Sequence, residues 1–122
     1  MNELIRFSNA GGVVTVSINV STHLPWDYVY TEENYPFSYR ANSGSANPMP
    51  HEYALGFPNQ MNFDFNSWDV SFFVPGAGHN YSIEIKWMQD GNELHNWKKD
   101  GTTDENTSNV LTFRGGARFL GQ

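Results

Sequence analysis

Four side chains near one expected turn could together recognise a polar ligand. Gln89-Asp90-Gly91-Asn92 carries the Asp-Gly pair of a two-residue type I′ turn, in which both central residues need positive φ. With that turn, Trp87 faces Leu94 towards a core, while Lys86 faces His95 and Glu84 faces Trp97 on the other side. Trp97, His95, Lys86 and Glu84 then share one surface. A flat indole beside donors and acceptors suits a sugar, whose C–H face stacks on the ring while its hydroxyls take hydrogen bonds. A three-residue loop instead slips the register, sends Trp97 inwards beside Ile85 and Trp87, and dissolves the patch.

A second candidate is the most aromatic stretch, residues 24–40, LPWDYVYTEENYPFSYR. Tyrosine supplies rigid contact area together with a hydroxyl, which makes Trp26, Asp27, Tyr28, Tyr39 and Arg40 candidate ligand contacts. The competing reading is a strand pair whose aromatics alternate between core and surface. His51 follows Asn47-Pro48-Met49-Pro50 and opens an expected strand, which places it at a loop rim. A lone loop histidine is more often simply solvated.

Residues 100–109 read DGTTDENTSN. Asp100, Asp104, Asn106 and Asn109 offer the oxygen ligands that calcium takes, although the spacing lacks the EF-hand pattern. A solvated loop is the competing reading, and no other cofactor is implied. Enzyme motifs are missing: there is no cysteine nucleophile, GxSxG elbow, HExxH or phosphate-binding GK[ST]. The expectation is a protein that is not an enzyme.

The elements that must position these residues read as strands. Val14, Val16, Ile18 and Val20 alternate with polar residues, as do Tyr81, Ile83, Ile85 and Trp87. Met61, Phe63 and Phe65 share one phase; Trp68, Val70, Phe72 and Val74 share the opposite one. A turn at Asn66-Ser67 makes these segments a hairpin with Phe63, Val70 and Phe72 in the core; one long strand with a β-bulge is the rival. Further strands are expected at residues 3–7, 28–31, 37–40, 52–57, 93–97, 110–114 and 117–120. The core is expected to contain Val16, Ile18, Phe63, Val70, Phe72, Ile83 and Ile85. No window carries a helical apolar stripe. The 122 residues are therefore expected to form one all-β domain with essentially no helix. It reads as a β-sandwich or jelly roll of about eight short antiparallel strands.

Composition narrows the partners. Hydrophobic residues are 39%, charged residues 16% and aromatic residues 16%, while Asn alone outnumbers Lys and Arg together. A net charge of −6 with seven scattered cations is a poor match for a phosphate backbone, so nucleic acid is not an expected partner. No apolar run approaches the ~20 residues of a membrane span. There is no cysteine, and Met1-Asn2-Glu3-Leu4-Ile5-Arg6 lacks the basic start and apolar run of a signal peptide. The expectation is cytoplasmic synthesis, with non-classical release left open.

Surface aromatics, polar loops and missing catalytic motifs lead to a lectin-like carbohydrate-binding protein, with a glycan as partner. Single sugar sites are weak, so a homo-oligomer is expected to supply avidity. The alternatives are a structural or assembly protein, such as a phage, virion or inclusion component, and a small toxin or pore-forming subunit whose aromatic rim meets lipid headgroups.

Overall fold

A computed structural model of the chain describes residues 2–33, 38–44 and 47–122. Nine strands among them form two packed sheets, a β-sandwich. In chain order they are β1 (Glu3–Phe7), β2 (Val14–Thr22), β3 (Trp26–Glu32), β4 (Ser38–Asn42), β5 (His51–Gly56), β6 (Phe65–Phe73), β7 (Asn80–Gln89), β8 (Asn92–Thr102) and β9 (Val110–Gly121). Among the described residues helix is confined to α1 (Pro58–Met61), between β5 and β6. Phe37, expected to open the fourth strand, and Tyr35 of the aromatic stretch lie outside the described residues.

One sheet has the order β1-β9-β6-β3-β4 and the other β5-β2-β7-β8. Period-two alternation directs each strand's apolar set inwards. Val14, Val16, Ile18 and Val20 of β2 meet Ile83, Ile85 and Trp87 of β7 on the inner face of one sheet. Opposite them lie Ile5, Tyr28, Tyr30, Trp68, Val70, Phe72 and Phe119. Of the seven expected core residues, all but Phe63 are buried. One pairing departs from the antiparallel expectation: β1 runs parallel to β9, from Glu3↔Ala117 to Phe7↔Gly121. The whole sandwich separates these two strands in sequence, so no tight hairpin imposes an antiparallel direction.

The expected hairpin at Asn66-Ser67 does not form. Pro58 opens α1, where its missing N–H costs nothing, and the Gln60 side chain accepts the Phe57 N–H at 2.9 Å. Met61 is buried from this turn rather than from a strand. The chain then enters β6 as one continuous strand, in which Asn66 points inwards and accepts a hydrogen bond from the Tyr30 hydroxyl at 2.6 Å. The change of phase therefore arises because Met61 and Phe63 precede the strand. The expected strands 110–114 and 117–120 join across Gly115-Gly116 as β9. A Cβ on Gly115 would overlap the Trp68 indole on the inner face, and one on Gly116 would come within 2.5 Å of Phe65 on the outer face.

Candidate functional site

The Asp90-Gly91 turn has the expected geometry, with φ of 52° and 77°, and pairs Gln89 with Asn92. One step later Leu94 is an extra residue: Met88 pairs with Glu93, but Trp87 pairs with His95. This β-bulge reverses the faces of everything beyond it. Trp97 lies opposite Ile85 on the inner side and packs edge-on against Trp68, with ring centroids 5.3 Å apart. His95 also faces inwards, against Trp87, and its Nε2 lies 3.1 Å from Glu3 Oε1. Glu84 and Lys86 remain on the outer face, paired at 3.6 Å. Asn96 donates to Glu84 at 2.8 Å, and that bond, with the Lys86 charge, holds the carboxyl below its ordinary range. The expected surface of Trp97, His95, Lys86 and Glu84 is therefore divided between two faces.

Four residues of the second group do come together. Trp26 stacks on Tyr28 with centroids 5.8 Å apart, and the Tyr28 hydroxyl lies 2.6 Å from His51 Nδ1 and 2.5 Å from the Tyr53 hydroxyl. Tyr39 stacks on Tyr53 at 4.3 Å. His51 Nε2 lies 3.2 Å from the Asn47 carbonyl, which can only accept, so Nε2 carries the proton and Nδ1 accepts from Tyr28. Tyr53 then donates to Tyr28. This relay closes the side of the sandwich where the edge strands β4 and β5 face each other.

It is a sealed edge rather than an open site: Tyr28 is 1% exposed and His51 8%. Burial drives the Tyr28 phenol far above its ordinary range, and burial followed by the Glu32 charge pushes Tyr39 up to about 12. The loop-rim expectation for His51 fails because its side chain turns into the gap between the sheets. Asp27 and Arg40 alternate away from this cluster and stand exposed on the outer face of their sheet.

The expected calcium loop is shorter than its sequence suggests. Asp100 belongs to β8, paired with Ser82, while Asp104 folds locally, its Oδ1 accepting from Asn106 N at 2.8 Å. Asn109 uses its backbone carbonyl to accept the Val74 N–H at 2.7 Å. Among the described residues no three His, Cys, Asp or Glu side chains are grouped to hold a metal.

Among the described residues the most exposed large aromatic lies elsewhere. Phe63 is 64% exposed and adopts φ of 65°, a conformation that bulky residues rarely take. Three bonds hold it there. Its N–H donates to the Phe119 carbonyl at 2.8 Å, its carbonyl accepts from Arg118 Nη1 at 2.9 Å, and the Asp64 N–H donates to the Met61 carbonyl at 3.0 Å. Arg118 organises the surroundings. Its guanidinium lies 4.8 Å from the Phe65 ring centroid and 3.9 Å from Glu33, and it is in register with exposed Leu4. Gly116 leaves the space that Phe65 fills. Phe57, at the other end of α1, is 57% exposed. Alternation alone assigned Phe63 to the core and so hid this surface; Phe-Pro before a short polar segment was the local signal of a helical turn.

No protein-family model and no curated protein sequence matches the chain. Among solved structures it is similar to a domain of unknown function, DUF4425, from Bacteroides vulgatus ATCC 8482. Identity is 18%, the TM-score is 0.50, and the match covers 87% of this chain and 94% of that one, a likeness that shows the fold alone.

Proposed function

We propose that the chain is a non-catalytic carbohydrate-binding module that seats a sugar on Phe63 beside Arg118 and Glu33. The observation that carries this reading is the Phe63 ring, held in solvent by a backbone conformation that opposes its own side chain. A left-handed conformation costs a non-glycine residue about 1 kcal/mol or more. A position selected only for stability would hold glycine or asparagine. Keeping phenylalanine there supports a use for the ring itself. An exposed phenyl offers a stacking face to sugar C–H groups, and Arg118 retains guanidinium donors beyond the one given to the Phe63 carbonyl. Glu33 supplies acceptors on the same side.

The test is a glycan array with labelled wild-type protein and the Phe63→Gly variant. Wild type binds a defined glycan set. Phe63→Gly loses that binding, while its stability holds or rises by about 1 kcal/mol as the strain is released. Silence of the folded wild-type protein across a broad array overturns the proposal.

The exposure of Leu4 and Phe57 favours a second reading, an apolar contact between subunits of an assembly. Under that reading, light scattering shows oligomers that dissociate on Phe63→Gly, without any glycan.

A further inference from the structure

The sandwich has a second lateral edge, between β1 of one sheet and β8 of the other, opposite the tyrosine-sealed edge. A cleft of about 430 Å³ lies there. That volume falls within the roughly 300–1,000 Å³ typical of small-molecule sites. Phe7 and Leu94 line it with apolar residues, and Arg6, on the exposed side of β1, lies at its rim with Asn92 and Gln122. Neither Phe63 nor Arg118 takes part, so the cleft stands apart from the surface described above.

One wall is built rigidly. The buried Gln89 amide accepts from Ser8 N at 2.8 Å and donates to the Ser8 and Gly12 carbonyls at 2.9 and 3.0 Å. These bonds tie the segment after β1 to the end of β7. Asp90 is tied as well, both of its oxygens lying 3.2 Å from the Gly12 N–H. A Cβ on Gly11 or Gly12 would collide with that carboxylate, so the two glycines make its seat. Leu94, the extra residue of the bulge, is partly buried against the core and lines the cleft.

The remaining charge in the cleft is Arg6. Arg114 lies against Asp69 and Arg118 near Glu33, but among the described residues Arg6 has no carboxylate within 4.0 Å. A guanidinium is a fixed fork that matches a carboxylate with two parallel hydrogen bonds. Asn92 and Gln122 each offer both donor and acceptor atoms, as hydroxyl groups require. We infer that this cleft binds a small polyhydroxylated carboxylate, a sugar acid of about one residue. Its carboxylate is taken by Arg6, its hydroxyls by Asn92 and Gln122, and its C–H face lies on Leu94.

The experiment is isotope-edited NMR titration of the full chain with a panel of hexuronates and aldonates, using glucose and methyl glucuronate ester as uncharged controls. The expected result is saturable binding of at least one sugar acid, with shifts centred on residues 6, 92, 94 and 122. Affinity falls about tenfold or more for the uncharged controls and for Arg6→Gln, with Arg6→Lys between the two, and it falls as salt rises. Arg6 is exposed, so dichroism of Arg6→Gln stays native. Uncharged sugars binding as well as the acids, undiminished affinity in Arg6→Gln, shifts confined to other residues, or no binding across the panel would each overturn the inference. Phe63→Gly leaves this binding intact, which separates it from the glycan surface.

Discussion

Glu32 ends β3 with 1% of its surface exposed, and among the described residues its Oε1 has no hydrogen-bond partner. Oε2 accepts one bond, from the Tyr39 hydroxyl at 3.1 Å. Burial, reinforced by the nearby Asp64 and opposed by the Tyr39 bond, raises the carboxyl from its ordinary 4.5 to about 7. The folded chain therefore binds a proton at Glu32 more tightly than the unfolded chain does. The stability this confers is complete below about pH 4.5 and is lost as pH rises through about 7. At about 1.36 kcal/mol per unit of pKa, the loss reaches up to about 3 kcal/mol.

Glu32→Gln keeps the acceptor for Tyr39 and removes the titration. Urea unfolding followed by tryptophan fluorescence at pH 4.5, 6 and 8 should show the variant gaining on wild type by about 2–3 kcal/mol across the series, with equal m-values. Curves for the two proteins that remain parallel from pH 4.5 to 8 would refute the argument, because Glu32 would then ionise in the fold as freely as in the unfolded chain.

Other substitutions probe the packing. Gly115→Ala places a methyl group inside the Trp68 indole and should cost about 1–3 kcal/mol, whereas Gly91→Ala, with open space around it, should cost only about 1 kcal/mol for its positive φ; chemical denaturation separates them. Trp97→Ala removes an edge-on contact with Trp68 and should destabilise by about 2–4 kcal/mol, while a surface ligand contact would leave the melting curve unmoved. Tyr28→Phe breaks the relay between Tyr53 and His51 and should cost about 1–3 kcal/mol in the same assay.

Much of the sandwich is legible in local pattern. The alternations in β2 and β7 and the Asp-Gly turn depend on nearest neighbours in the chain, and they appear where those neighbours place them. The errors share a cause: one residue of offset inverts a strand's faces. Leu94 carries no mark of a bulge, so Trp97 could not be oriented from its own segment. Phe63 has the parity of a strand residue but belongs to the turn that Pro58 begins. The meeting of Tyr28, His51 and Tyr53 is set by how β3 and β5 oppose each other across the sandwich, which no single segment records. The cleft at Arg6 likewise joins residues from both ends of the sequence.

The parallel pairing of β1 with β9 also sets the order in which the fold can be completed. Among the described residues β1 finds its sheet partner in β9, which leaves the ribosome after the other eight described strands. Until that strand arrives, Ile5 and Phe7 have no sheet to join, and β6 lacks one of its two hydrogen-bonded neighbours. Closure then joins the most widely separated strands of the described fold, Glu3 meeting Ala117, an entropic step that favours slow folding. The nascent domain must therefore carry exposed aromatic surface until synthesis of β9 is finished, and a protein stalled just before Val110 should be the form that chaperones retain.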